Sequence, residues 1–370
     1  MNQPTVLFAG GGTGGHLFPN MAVVQRLRRY APELNVHFIC SNRPLDSQIL
    51  QKTGMPWTPL TVRPLPRRPW HVPGFLMAYR RSRQTVEQLI RSHNVVAMVA
   101  TGGFVSGPAI SAARKAKVPT VLVNLDAVPG RANRWLAGRC TKVMSVYATS
   151  QLPARTQLVA MPLRESCLAP ADSAGCRRRM GLDPHRLVLL ITAGSQGADS
   201  INRMMIALAQ QPECAAVLRK WTIVHLTGRE RDDEVKAAYD AAGLTSRVMA
   251  FSDEMGLCWG AASLAISRAG ASSVAEVAAN GVPAVFLPYP WHKDQHQRLN
   301  AQPLVEAEAA LMWEDQKDGV VNAQRLGPGL MSLLVDGTLR QRMRENLKGL
   351  AGGDGAKRVA QEIVSLIHGG

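Results

Sequence analysis

The residues best suited to chemistry stand near the start of the chain, where "LFAGGGTGGHLFPN" crowds glycines and a histidine between an apolar run and a helix-like pattern. Gly10, Gly12 and Gly15 have GxGxxG spacing, which gives a tight turn, close approach of backbone to a ligand, and amides at the positive end of a helix facing an anion. His16 adds an imidazole, whose ordinary pKa of about 6.5 suits a general base. A dinucleotide site further requires an acidic residue at the end of the next strand to hold ribose hydroxyls. That strand, "VHFICSNR", ends in Ser41, Asn42 and Arg43. Arg43 would suit a 2′-phosphate, so an NADP oxidoreductase stays open as a reduced alternative.

Two more glycine turns follow apolar runs, "TGGFVSGP" (Thr101 to Pro108) and "TAGSQGADSIN" (Thr192 to Asn202). Ligands of open α/β sheets bind outside the carboxyl ends of strands, where all three turns belong. A single such turn needs no ligand; three at equivalent positions favour one. A fourth feature is "SRAGASSVAEVAANGVPAVFLPY" followed by "WHKDQHQRLNA". Here a helix opening at Ala271 offers its amides to a phosphate or diphosphate, and Glu276, one turn in, suits the paired hydroxyls of a ribose. Arg268, His296 and Gln297 add polar contacts.

The elements that must position these residues read as alternating strands and helices, the pattern of a parallel α/β sheet. Strands are expected at Thr5 to Gly10, Val36 to Cys40, Val96 to Gly103, Pro119 to Asn124 and Lys142 to Val146, with a helix over Asn20 to Tyr30. After a proline-rich, charged stretch from Met161 to His185 the pattern restarts. "RLVLLITAG" opens a second unit, and further strands are expected at Trp221 to Gly228, Ser263 to Gly270 and Pro283 to Pro290. Leu339 to His368 reads as a helical segment that packs back across the boundary.

A chain of 370 residues exceeds what one core usually fills, so two domains are expected. Its six cysteines are scattered without a CxxC pair, which argues against a disulfide framework or a paired zinc clip. No leader-like segment or spanning apolar run is evident, so a cytoplasmic location is expected. The net charge of +16 implies attraction to polyanions. Nucleic acid ranks below anionic lipid and phosphorylated small molecules, because RNA-binding signatures and aromatic stacking runs are absent. Between Arg63 and Arg83, arginines surround Trp70, Phe75, Leu76, Met77 and Tyr79. That mixture suits either an anionic membrane surface or a solvated basic helix edge.

Taken in order, "GGTGGH", "GGFVSGP", "AGSQGA" and "SRAGASSVAE" followed by "HQRLNA" resemble the MurG family over nearly the full length. These are cytoplasmic-face enzymes that move N-acetylglucosamine from UDP-N-acetylglucosamine to lipid I, giving lipid II. The resemblance implies a GT-B fold, two facing Rossmann-like domains with an interdomain cleft. Residues 1–163, completed by a C-terminal helix over 345–370, would take a polyprenyl-diphosphate-linked acceptor at the membrane. Residues 164–344 would take the UDP-sugar. The family motifs place Arg164, Ser195, Asn202, Ser252, Arg268, Ala271, Ser272, Ser273, Val274, Ala275, Glu276, His296 and Gln297 around the donor. Thr13, Gly14, Gly15 and His16 would stand near sugar and acceptor, with His16 the first candidate for the base. No DxD motif is present, so neither a metal site nor a cofactor is expected beyond the donor itself.

The acceptor side departs from the family. Where "HEQN" is usual, the chain has Val123, Asn124, Leu125 and Asp126, ahead of Asn133 in "NRWLA". Phe104 takes the place of a usual tyrosine. Asp126 is therefore a second candidate base, or the mark of another acceptor. A GT-B enzyme with a different acceptor and a catalytically silent UDP-sugar-binding homologue stay as alternatives.

Overall fold

In the computed structural model, which describes residues 3–369 except 13, 65, 67, 195, 196, 229, 230, 292 and 293, the apolar runs become parallel strands. The chain divides into two units, Met1–Arg164 with Gly352–Gly370, and Glu165–Ala351. In the first, β1 (Pro4–Ala9), β2 (Asn35–Ser41), β3 (Trp57–Leu60), β4 (Asn94–Ala100), β5 (Thr120–Asn124), β6 (Lys142–Ser145) and β7 (Gln157–Leu158) form one sheet. Their order is β3-β2-β1-β4-β5-β6-β7. In the second, β8 (Val188–Thr192), β9 (Thr222–Leu226), β10 (Thr245–Met249), β11 (Leu264–Ser267), β12 (Ala284–Phe286) and β13 (Ala310–Met312) are ordered β10-β9-β8-β11-β12-β13. Each order reverses once, between β1 and β4 and between β8 and β11. At such a reversal the loops leave in opposite directions and open a crevice. All four sequence features sit there: the turns after β1 and β4 in one unit, and those after β8 and β11 in the other.

The central strands are buried on both faces, as a parallel sheet covered by helices requires. In the second unit, Leu190, Val224, Ala265 and Phe286 join one apolar cluster while Leu189, Ile191, Ile223 and Ile266 join another, the two-residue alternation of a strand. Trp259 fills the first cluster and Tyr239 the second, both fully buried. Burial on this scale contributes roughly 1.5–3 kcal/mol per large apolar side chain.

Three features differ from the sequence expectation. The first helix spans Gly14–Tyr30 rather than starting at Asn20, with Pro19 inside it, so His16 lies in its first turn. The C-terminal segment is two helices, Gly337–Leu347 and Gly355–His368, separated where Gly349, Gly352 and Gly353 adopt positive φ. Only the second belongs with the first unit. There Arg26 pairs with Asp354 at 2.7 Å and Lys142 with Glu362 at 3.0 Å, while Gly355 abuts the Ala160 carbonyl so closely that no side chain fits. Finally, β3, β7, β10 and β13 were not expected at all, and they are the four sheet edges.

Beneath the turn after β8 runs a buried chain of neutral hydrogen bonds. Asn202 donates through Nδ2 to the Thr227 carbonyl at 2.9 Å, which leaves its Oδ1 to accept from His225 Nε2 at 3.1 Å. His225 Nδ1 then accepts from the Tyr239 hydroxyl at 2.8 Å. Burial pushes the His225 pKa down to about 3, so the imidazole is neutral when folded and gains a proton on unfolding below its ordinary 6.5. Its contribution to stability is therefore complete above pH 6.5 and is lost as pH falls toward 3, by about 1.4 kcal/mol per pH unit. Urea titrations at pH 7, 6 and 5 should show a shallower pH dependence for His225→Gln than for the parent. Equal slopes would place the acid sensitivity elsewhere.

Candidate functional site

In the first unit the site is built where the turns after β1 and β4 meet. The His16 Nδ1 lies 3.1 Å from the Thr101 carbonyl oxygen, and Thr101 Oγ1 donates to the His16 carbonyl at 2.8 Å. A carbonyl oxygen only accepts, so Nδ1 carries the proton and Nε2 keeps its lone pair. Burial lowers the His16 pKa, opposed by the charge of Asp126, the Thr101 bond and the charge of Asp46. The imidazole is thus unprotonated at neutral pH. Gly102 and Gly103 have φ of +111° and +78°, where side chains are strained. A Cβ on Gly102 would come within 3.3 Å of the imidazole, and one on Gly103 within 3.0 Å of the Gly11 carbonyl. These glycines therefore make room for the ring.

The departing segment behaves in a specific way. Val123 and Leu125 are buried in the core, and Asn124 is spent internally. Its Nδ2 donates to the Asp126 carbonyl at 2.8 Å and to Ser145 Oγ at 3.0 Å, and its Oδ1 accepts from Asn133 Nδ2 at 3.1 Å. Only Asp126 of the four is a half-exposed polar side chain. Its charge acts on His16, and with burial it pushes the Tyr147 hydroxyl up. Asn133 sits beside Gly102 and is buried, while Phe104 is 46% exposed. Gly14 underlies the Phe18 ring, over which the Arg164 guanidinium stacks at 3.9 Å. Arg164 thus stands with the first unit, at the start of the Gly14–Tyr30 helix. Gly15 is exposed in the same turn. Arg43, suited in sequence to a 2′-phosphate, instead donates to the Gly12 carbonyl at 2.8 Å. Thr13 and Ser195 lie outside the described residues.

In the second unit the helix Ala271–Asn280 opens behind β11 with Gly270 at its N-cap, which brings no side-chain acceptor to the first amides. Ala271 and Val274 pack inward, while Ser272, Ser273 and Ala275 are half-buried. The Glu276 Oε2 accepts from Trp259 Nε1 at 2.7 Å, which fixes the carboxylate one turn into the helix. Arg268, expected at the donor, turns into the protein. It meets Asp315 at 2.6 Å, Ser200 Oγ at 2.9 Å and the Leu287 carbonyl at 2.9 Å. Burial alone would raise the Asp315 pKa, but hydrogen bonds from Asn322 and Ser200, then the Arg268 charge and the Lys317 amide, hold it below the ordinary value. Asn202, likewise expected at the donor, is buried in the chain with His225.

Of the remaining expected residues, Ser252 lies in a loop and His296 and Gln297 open the His296–Glu306 helix. Ser252 Oγ accepts from the Glu254 amide at 3.2 Å, His296 pairs with Asp294 at 2.8 Å, and Gln297 Oε1 accepts from the Tyr289 amide at 2.8 Å. Asn300 reaches the Ala269 carbonyl and ties the His296–Glu306 helix to the turn after β11. Among the described residues no three His, Cys, Asp or Glu side chains gather as a metal site would need. Sequence reasoning missed Asp46, Trp259 and Asp315. Each belongs to the layer behind the glycine turns, and spacing alone carries no signal for it.

Comparison with known proteins matches the glycosyltransferase family 28 N-terminal domain over residues 6–145 and the family 28 C-terminal domain over residues 188–357. A protein of Halothermothrix orenii is 32% identical, covering 93% of this chain and 94% of its own. One of Leifsonia xyli subsp. xyli is 35% identical, covering 98% of each. Both are named UDP-N-acetylglucosamine--N-acetylmuramyl-(pentapeptide) pyrophosphoryl-undecaprenol N-acetylglucosamine transferase. The crystal structure of Acinetobacter baumannii MurG superposes with a TM-score of 0.71 at 25% identity, covering 100% of both chains. With both halves matched and the likeness running end to end in sequence and fold, the chain belongs to the MurG family of GT-B glycosyltransferases.

Proposed function

We propose that the protein transfers N-acetylglucosamine from UDP-N-acetylglucosamine to lipid I, forming lipid II with inversion at the anomeric carbon. The observation that carries this reading is the unprotonated Nε2 of His16, held beside the Gly102–Gly103 turn in a chain whose relatives are named for this transfer. His16 takes the proton from the acceptor hydroxyl as its oxygen attacks the anomeric carbon. The bond to UDP breaks, and the departing diphosphate keeps the electron pair. The open amide end of the Ala271–Asn280 helix supports that negative charge, and Glu276 holds the ribose. Asp126 stabilises the imidazolium that forms. Arg268 and Asn202 serve the donor by holding its loops in place.

A second reading, transfer to another acceptor, is favoured by one observation: of Val123 to Asp126, only Asp126 offers a half-exposed polar side chain. Labelled UDP-N-acetylglucosamine with lipid I should yield labelled lipid II, whereas product only from other acceptors would replace the first reading with the second.

The acceptor is lipid-linked, and we propose that the first unit meets it on an anionic membrane surface through the region around the Val72–Ser92 helix. Trp70, Leu76 and Met77 are 66%, 45% and 54% exposed, Arg68 lies over Trp70, and Arg80 and Arg81 are exposed. Arg83 is held by Glu87 at 3.1 Å and contributes less. No helix among the described residues is long and apolar enough to cross a membrane.

His16→Ala should lower kcat about 10²–10⁴-fold with little change in donor KM. The acid limb of the parent's kcat/KM profile should lie below pH 6.5, because the His16 pKa is lowered, and Asp126→Asn should move it lower still. An acid limb above that value would argue against His16 as the base. Glu276→Ala should raise donor KM more than it lowers kcat, and Trp259→Phe, which removes only the bonding N–H, should raise donor KM several-fold. An unchanged KM in Trp259→Phe would mean that the indole does not orient the carboxylate. Binding to anionic vesicles should weaken with salt and fall in Arg80→Ala/Arg81→Ala. Salt-independent binding would count against the surface.

A further inference from the structure

We infer that Asp46 is a positioning residue, which locks the first glycine turn in the shape that presents His16. The inference rests on the reading of His16 as the base. Asp46 is fully buried in the first turn of the Pro44–Gln51 helix. Its Oδ2 accepts from the Gly12 amide at 2.8 Å, the Ser41 amide at 3.0 Å and the Ser41 hydroxyl at 2.6 Å. Three residues earlier, Arg43 donates to the Gly12 carbonyl at 2.8 Å. Both polar groups of Gly12 are thus gripped by the segment that follows β2.

The grip has a physical purpose. A glycine-rich turn has no side chains to hold its shape and loses much backbone entropy on ordering. Gly12 has φ of +91°, and the helix carrying His16 begins two residues later. On its other side, His16 is held by Thr101. Without Asp46, the first side would keep only the Gly10 amide bond to the Ile39 carbonyl and the exposed Arg43 bond to the Gly12 carbonyl. The fit is close: a Cβ on Gly11 would meet Asp46 Oδ2 at 2.5 Å, so the carboxylate requires glycine there. The acidic residue that the sequence lacks directly after β2 is therefore present five residues beyond Ser41, and it is turned onto the protein's own turn. The Gly12 amide is already bound to a carboxylate and offers no seat to a ligand phosphate.

Displacing a reacting group by about 1 Å costs roughly 10²-fold in rate. Asp46→Ala should accordingly lower kcat about 10- to 100-fold with donor KM held within about twofold. Asp46→Asn keeps an oxygen for the Gly12 and Ser41 amides and should restore most of kcat. Arg43→Ala releases the exposed side of the grip and should lower kcat several-fold at unchanged Tm, which keeps the idea testable if Asp46→Ala fails to fold. Full kcat in Asp46→Ala, or losses in all three variants that merely follow the folded fraction, would overturn the inference. So would a His16→Ala/Asp46→Ala double variant whose losses multiply, since a residue acting through His16 adds nothing once His16 is gone. A His16→Ala enzyme with full kcat would instead overturn the reading of His16 as base.

Discussion

Two hydrogen bonds between His16 and Thr101 join the turns after β1 and β4, and the first unit's site depends on them. They exist because the strand order reverses between these neighbours, so two loops rise from adjacent strands and wind apart. Side chains in the turns would hold the loops too far apart for each of these two side chains to reach the other residue's carbonyl. Glycine at 102 and 103 removes that obstacle, and the same absence of side chains leaves the turns in need of outside support. The second unit meets the same requirement with different chemistry. Ser200, after β8, and Arg268, after β11, are joined to each other and to Asp315.

The two solutions differ in their sensitivity to loss. A buried ion pair contributes little net stability, because desolvation offsets attraction, but removing one partner strands a charge and costs several kcal/mol. Arg268 and Asp315 escape a larger penalty because Ser200, Asn322, the Lys317 amide and the Leu287 carbonyl satisfy their remaining groups. The Asn202–His225–Tyr239 chain avoids charge altogether, since every member has a definite donor or acceptor role in its neutral form. Around His16 a third balance holds. Burial favours the neutral ring, while Asp126, the Thr101 bond and Asp46 limit how far its basicity falls.

Much of this was legible in the sequence. Central strands such as "TVLFA" and "VLLIT" are continuously apolar because both faces are covered, and the turns that follow them are marked by glycine. The edge strands β3, β7, β10 and β13 pack on fewer neighbours, so their residues are largely half-exposed; no apolar run announces β7 or β10, and β13 is only three residues long. The apolar spacing marks a helix only from Asn20, but Pro19 blocks just one intrahelical bond and the helix extends through it to Gly14. The motif residues Arg268 and Asn202 were legible as important and illegible as to direction. Whether a polar side chain points at a ligand or into the protein depends on partners such as Asp315 and His225, which are distant in sequence.

That last distinction bears on how a chain at 32–35% identity to its relatives keeps a common chemistry. A glycine turn locked from behind by buried partners tolerates few exchanges, because each replacement must satisfy the same backbone amides and carbonyls. Asp126 is under a different constraint. Its neighbours Val123 and Leu125 supply core packing, Asn124 supplies the bonds to Ser145 and Asn133, and the Asp126 side chain is half-exposed with its charge acting on the imidazole. A carboxylate there raises the basicity of His16, in opposition to burial. Within one short segment, therefore, two side chains serve the core, one ties the neighbouring elements together, and one acts through its charge on the ring that the first glycine turn carries.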